Sequence, residues 1–281
     1  MAYEHKPFAT ELVTSEQLWA YTKLLRLYFS PKFYGLDNIV AAKPALLVGN
    51  HTLYGIIDVP LLLAQIYKDK DILVRSLADH AHYDVPLWRN LLDKIGGVEG
   101  TRENCSQLMQ QGQHVLVFPG GAREVSKRKG EQYQLTWKRR TGFCRMAIQH
   151  KYDIIPFAAV GPDDAFDILV DGEDILQSPL GGLLKKAGLL EKDSVIRGGD
   201  LLMPLTRGIG PTMLPKPERF YFSIGERIDV SQYAGKAEDE SVLFELRDRV
   251  AFAIQDQIGE MLSVREQDYD KGFIRRVLNR L

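Results

Sequence analysis

Four short apolar runs constrain the fold of this chain more than any other feature: ALLVGN (45–50), DILVRSL (71–77), HVLVF (114–118) and DIIPFAAVG (153–161). Each is continuous rather than alternating and too short for a buried helix, the pattern of a strand covered on both faces. Helical patterns lie between them: IIDVPLLLAQIY with Pro60 in its first turn, LWRNLLDKIGG (87–97), TRENCSQLMQQG (101–112) and residues 139–150. Strands that alternate with helices at this spacing predict βαβ units, so the expected fold class is α/β, a mostly parallel central sheet flanked by helices.

The flanking segments complete the picture. Thr14 and Gln17 are spaced as a capping box, and Leu18, Tyr21, Leu25 and Tyr28 share one face, which predicts an amphipathic helix over 14–30 ended by Pro31. RFYFSIGERIDV (219–230) has strand character. Residues 240–262 predict a long helix with Leu243, Leu246, Val250, Ile254, Ile258 and Met261 on its buried face. Residues 163–217 are turn-rich, with four prolines between Pro204 and Pro217, and read as an irregular insertion or lid. The expected organisation is an N-terminal helical appendage (1–34) on one domain (35–281).

Composition narrows the function classes. Net charge is −1, so any polyanion or membrane contact must come from a local patch, and no nucleic-acid partner is expected. Two cysteines make no disulfide framework, which with the lack of an apolar leader points to a cytoplasmic protein. No apolar stretch approaches the roughly 20 residues needed to span a bilayer. There is no G-x-S-x-G elbow, no G-x-x-x-x-G-K-[ST] loop and no strand-borne G-x-G-x-x-G.

The candidate chemistry sits at strand ends, where open α/β sheets bind ligands. Asn50 and His51 follow the first run, and an imidazole there can take a proton from a hydroxyl. Asp58 lies seven residues on and can reach His51 only if the intervening loop, with Gly55, folds back over the helix start. FPGGARE (118–124) follows the third run. Gly120 and Gly121 allow close backbone approach to an anion or oxyanion, and Arg123 adds charge. GGVEGTREN (96–104) carries Arg102 on another glycine-rich turn.

In this order the segments resemble the four motifs of the glycerolipid acyltransferase superfamily, N-H-x4-D, G-x5-R, F-P-E-G-T-R and a hydrophobic V-P segment. Here they fall at Asn50–Asp58, Gly96–Arg102, Phe118–Arg123 and Ile154–Val160. The resemblance covers about 35–165 and extends weakly to IGERIDV. Two departures stand out: six residues, not four, separate His51 from Asp58, and Gly120 replaces the motif's Glu. The second departure is similar to the diacylglycerol acyltransferase and phytyl ester synthase branch, which implies a neutral lipid or long-chain alcohol as acceptor.

The resemblance implies His51 as general base, Asp58 or another nearby carboxylate as its partner, and backbone N–H groups near Gly120 and Gly121 at the oxyanion. Asn50, Arg102, Gly120, Gly121 and Arg123 are the implied substrate contacts. The acyl donor would be acyl-CoA or acyl carrier protein, with no metal and no further cofactor. Alternatives are a lysophospholipid or glycerol-phosphate acyltransferase, a degenerate lipid-binding module, and a hydrolase in which His51 activates water. A zinc site at His80 and His82, placed on one side of a strand, is a minor alternative. Residues 123–145 hold eight Lys or Arg against two Glu, a patch for acidic headgroups or CoA phosphates, or a solvated face. KGFIRRVLNRL at the C-terminus and SPLGGLLKKAGLLE mix leucines with cations. With Trp19 and Tyr21 they predict peripheral membrane association.

Overall fold

The computed structural model describes residue 8 and residues 11–84, 86–186, 202–270 and 272–279. Its centre is a seven-stranded sheet of order β1-β9-β6-β2-β5-β3-β4. The strands are β1 (Lys32–Tyr34), β2 (Ala45–Gly49), β3 (Arg75–Ala78), β4 (Val98–Glu99), β5 (Val115–Val117), β6 (Asp153–Val160) and β9 (Tyr221–Ile224). Every neighbouring pair is parallel except β6 with β9. β7 (Asp167–Val170) and β8 (Leu205–Arg207) form a separate antiparallel pair.

β2 and β6 are buried along their whole length, as their continuous pattern predicts, whereas the run 71–77 pairs as a strand only from Arg75, its apolar residues 72–74 lying ahead of β3. In β2, Leu46 and Val48 face one hydrophobic cluster while Ala45 and Leu47 face the other. β6 repeats the alternation, with Ile154, Ala158 and Val160 on the first side and Ile155, Phe157 and Ala159 on the second. The first side is covered by α5 (Arg102–Gln110), α7 (Gly142–His150) and α10 (Glu240–Gln267), the second by α1 (Ser15–Tyr21), α2 (Lys23–Phe29) and α3 (Asp58–Lys70). All six residues expected on the inner face of α10 are buried. The remaining helices are α4 (Pro86–Lys94), α6 (Gly121–Val125), α8 (Gly172–Gln177), α9 (Pro179–Lys186) and α11 (Phe273–Leu278).

The N-terminal segment departs from the expected single helix. The Thr14–Gln17 capping box forms, but the helix breaks at Thr22. The Thr22 hydroxyl donates back to the Leu18 carbonyl at 3.0 Å, a local bond that competes with the helical ladder. Of the expected face, Leu18 is buried and Leu25 and Tyr28 pack against the core, but Tyr21 is exposed, as are Leu24 and Leu27. Phe29 stacks on Phe220 with centroids 4.2 Å apart, and β1 joins the sheet beside β9, so the sheet begins before residue 35. The segment 163–217 is also more ordered than the expected irregular insertion. It contains β7, α8, α9 and β8, with residues 187–201 outside the described residues.

Candidate active site

The three central strands β6, β2 and β5 bring their C-terminal ends together, and the chain segments that leave them form the site. Asn50 follows β2 directly and is fully buried. Its side-chain amide donates to the Ala159 carbonyl at 3.0 Å and accepts from the Ala159 N–H at 2.8 Å. Its amide is spent on β6, extending the sheet ladder by one step. Asn50, expected as a substrate contact, thus bonds to Ala159 on both sides of its amide.

His51 comes next. Its ring stacks on Phe118, with centroids 3.9 Å apart and planes 10° from parallel. Gly55 closes against the ring: at φ +60° a Cβ there would lie 2.1 Å from His51 Cε1. Only glycine fits, by conformation and by space. Phe118 in turn meets Phe157 edge-on at 5.7 Å, and Gly49 lets the Phe157 ring lie flat against β2. The imidazole is thus fixed between two walls drawn from different motifs.

The loop 51–57 is pinned from three directions. Leu53 N–H donates to Asp163 Oδ1 at 2.7 Å, Tyr54 N–H to the Val125 carbonyl at 3.1 Å, and the Tyr54 hydroxyl lies 2.7 Å from Thr206 Oγ1. The loop does fold back over α3, but His51 and Asp58 make no hydrogen bond. His51 Nδ1 and Asp58 Oδ1 are both buried and unpartnered among the described residues. Asp58 heads α3 with the Thr52 hydroxyl beside its carboxylate.

Sequence reasoning missed three charged residues that complete the site. Glu124, Lys127 and Asp163 are all buried. Lys127 Nζ lies 3.6 Å from Asp163 Oδ2, and Asp163 also accepts from the Leu53 and Tyr133 N–H groups at 2.7 and 3.1 Å. Both Glu124 carboxyl oxygens lack a hydrogen bond of standard geometry, although the His51 main-chain N–H and the Trp137 indole face them. The sequence signal was present in the acid that immediately follows the FPGGAR turn and in the GPDDAF stretch after β6.

Burial moves these groups apart in acidity. Desolvation, helped by the Lys127 charge, drops His51 to about 3, so it stands neutral and able to accept a proton. Desolvation lifts Asp58 to about 6 and Glu124 to about 8, against the pull of Thr52 and Lys127 respectively. At pH 7 Asp58 is therefore ionised and Glu124 protonated, while Asp163 faces the Lys127 ammonium.

This division sets a pH dependence of stability. Partly buried His51 and buried His114 lower stability as pH falls through about 6.5, an effect that opposes Glu124 at the lower end of the window, and folded Asp58 is mostly ionised above 6.5. Between pH 6.5 and 8 Glu124 dominates: the unfolded chain has lost its proton while the folded protein retains it. Stability therefore falls as pH rises through this window, by about 1 kcal/mol net of the opposing histidines. That corresponds to a Tm drop of roughly 2–4 °C, which Glu124→Gln should abolish. A wild-type Tm that stays level over this window would contradict the buried, protonated Glu124.

The expected glycine and arginine contacts fare differently. Gly121 N–H, expected near the oxyanion, donates to the Phe118 carbonyl at 3.0 Å and closes the turn. Arg140 donates to the Pro119 and Gly120 carbonyls at 2.9 and 2.5 Å, clamping the turn. Arg123 points to Glu131 at 2.5 Å and to the Ser126 carbonyl at 3.3 Å. Arg102 is exposed at the start of α5, beyond edge strand β4.

The basic stretch 123–145 is largely neutralised by partners distant in sequence. Arg128 pairs with Glu173, Arg139 with Glu240 and Arg145 with Glu238. This corrects the expected anion patch. His80 and His82 fall in a 3-10 turn, not on a strand, and among the described residues no three metal-ligating side chains converge.

Comparison with known proteins fits this geometry. The Acyltransferase family profile matches residues 30–160. Phytyl ester synthase 1 and phytyl ester synthase 2, both chloroplastic proteins of Arabidopsis thaliana, are 32% and 28% identical over 262 and 256 residues. These alignments cover 88% and 86% of this chain, which spans 36% of the length of either plant protein. Among solved structures, the 1-acyl-sn-glycerophosphate (LPA) acyltransferase PlsC of Thermotoga maritima shares the fold at TM-score 0.52 and 13% identity, over 88% of this chain and 79% of that one. With three of its four motifs at β2, β5 and β6 and the second at edge strand β4, the chain belongs to the glycerolipid acyltransferase superfamily.

Proposed function

We propose that this chain transfers a fatty acyl group from a thioester, acyl-CoA or acyl carrier protein, to the hydroxyl of a neutral lipid or long-chain alcohol. The observation that carries this reading is the neutral, immobilised His51 ring between Phe118 and Gly55 at the meeting point of the central strands. The acceptor O–H gives its proton to the imidazole as the oxygen attacks the thioester carbonyl. The tetrahedral oxyanion collapses, the C–S bond breaks, and the imidazolium returns the proton to the departing thiolate. Ionised Asp58, at the other end of the same loop, stabilises the transient imidazolium through space. Gly120 N–H is the turn's remaining candidate for the oxyanion, since that of Gly121 is used.

A neutral acceptor is favoured over a phosphate-bearing one because the cations near the turn are spent: Arg123 on Glu131, and Arg140 on two main-chain carbonyls. The names of the plant relatives point the same way. Arg123→Ala is expected to change KM for a neutral alcohol by less than about fivefold, as for loss of a peripheral ion pair. A loss of a hundredfold or more would instead mark Arg123 as an acceptor ligand.

The test of the whole reading is thiol release from long-chain acyl thioesters with and without alcohols, diacylglycerol and lysophospholipids. Acceptor-dependent release supports the transferase. Release without acceptor indicates a hydrolase, and no release from either donor class indicates a binding module.

Peripheral membrane docking is part of the proposal. No helix among the described residues is long and apolar enough to cross a membrane. Tyr21, Leu24 and Leu27 are exposed on the N-terminal helices, and Arg275 of α11 bonds to the Tyr28 carbonyl and Ser30 Oγ at the end of α2. Flotation with anionic vesicles at low salt supports this surface, and a protein left at the bottom of the gradient speaks against it.

A further inference from the structure

We propose that Glu124 is a positioning residue for His51, supplying from position 124 the carboxyl group that F-P-E-G-T-R carries at the position of Gly120, an inference that rests on the acyl-transfer reading for its kinetic test. Gly120 has φ −69° and ψ −27°, an ordinary right-handed conformation open to any residue. Conformation therefore does not require glycine there; space does. A Cβ on residue 120 would lie 2.0 Å from Glu124 Oε2, 2.6 Å from its Cδ and 2.5 Å from its Cβ. The Glu124 side chain occupies the volume that a side chain at 120 would fill. The two positions are coupled, and only one of them can carry a carboxyl.

The carboxyl so placed has no other structural account. It is fully buried and neither oxygen has a standard hydrogen bond among the described residues, a cost that folds rarely leave in place without use. It faces the His51 main-chain N–H, the Trp137 indole and the Lys127 and Asp163 charges. The next residue, Val125, accepts from Tyr54 of the His51 loop. One short segment thus provides the plate under the imidazole, Phe118, and a carboxyl behind its main chain, Glu124. Loosening the second would let the ring drift from the thioester without altering substrate binding surfaces.

The test is an exchange. Because the Glu124 Cβ itself blocks position 120, the partner change must be to glycine: Gly120→Glu with Glu124→Gly, not with Glu124→Ala. Glu124→Gly alone should lower kcat about a hundredfold with KM within a few-fold of wild type. The exchanged double variant should recover at least tenfold of that loss, whereas Gly120→Glu with Glu124→Ala should recover nothing. Glu124→Gln keeps the shape, so it should retain most of kcat and lose the alkaline limb of the pH profile.

The His51 ring resonances provide a readout that needs no turnover. They should shift in Glu124→Gly and return in the exchanged variant. If wild type cleaves no thioester, the acyl-transfer reading fails while the resonance test still decides the positioning role. Unchanged resonances in Glu124→Gly, full kcat in that variant, or an alkaline limb that persists in Glu124→Gln would each overturn it.

Discussion

His51→Ala is expected to reduce acceptor-dependent thiol release by about 10²–10⁴-fold, the range for removal of a general base. Folding should survive the change. The lost ring stack on Phe118 is worth about 0.5–1.5 kcal/mol, and removing the buried, unpartnered Nδ1 offsets part of that. The expected signature is therefore a collapse of kcat with a Tm shift of only a few degrees. An equal fall in kcat and kcat/KM would show that the imidazole acts in the transition state and not in substrate binding. Near-wild-type turnover in a folded His51→Ala protein would remove His51 from the mechanism and transfer the role of base to the ionised Asp58.

The parts of this protein that follow from periodicity were legible in the sequence. The inner face of α10 is visible at helical spacing, and the continuous runs at 45–50 and 153–161 suit the doubly covered strands β2 and β6 that they form. The parts set by contacts between distant residues were not. β1, β4, β7 and β8 are two to four residues long, at most two turns of the strand period and too short for a pattern to stand out, and exist because a neighbour pairs with them. The break at Thr22 depends on a single hydroxyl turned back onto the ladder.

The site shows the same division. The order of motifs points to His51, Asp58 and Gly120, whereas the bonds that tie Asn50 to β6 and Gly121 to the turn depend on the fold. Lys127 sits in a run that reads as a solvated basic face, and only the fold shows it buried beside Asp163 while its neighbours pair outward. Charge in a loop carries no periodic signal, so burial there cannot be inferred from sequence.

Asp163→Ala is expected to produce the largest loss of stability. The carboxylate receives two main-chain N–H bonds and faces Lys127, and the side chains of the ion pair are 0% and 3% exposed. Its removal leaves a buried ammonium alone, which typically costs about 3–5 kcal/mol, and strands the Leu53 and Tyr133 donors as well. Thermal unfolding should drop by roughly 10 °C or more. Two contributions can then be separated. Asp163→Ala with Lys127→Met removes the orphan charge and should regain much of the stability, since an apolar replacement for a buried pair is often tolerated. Turnover should stay low in the double variant, because the Leu53 anchor that holds the His51 loop is still missing. If the double variant regains turnover along with stability, the loop is held by something other than Asp163, and the Tyr54 bonds to Val125 and Thr206 become its principal anchors.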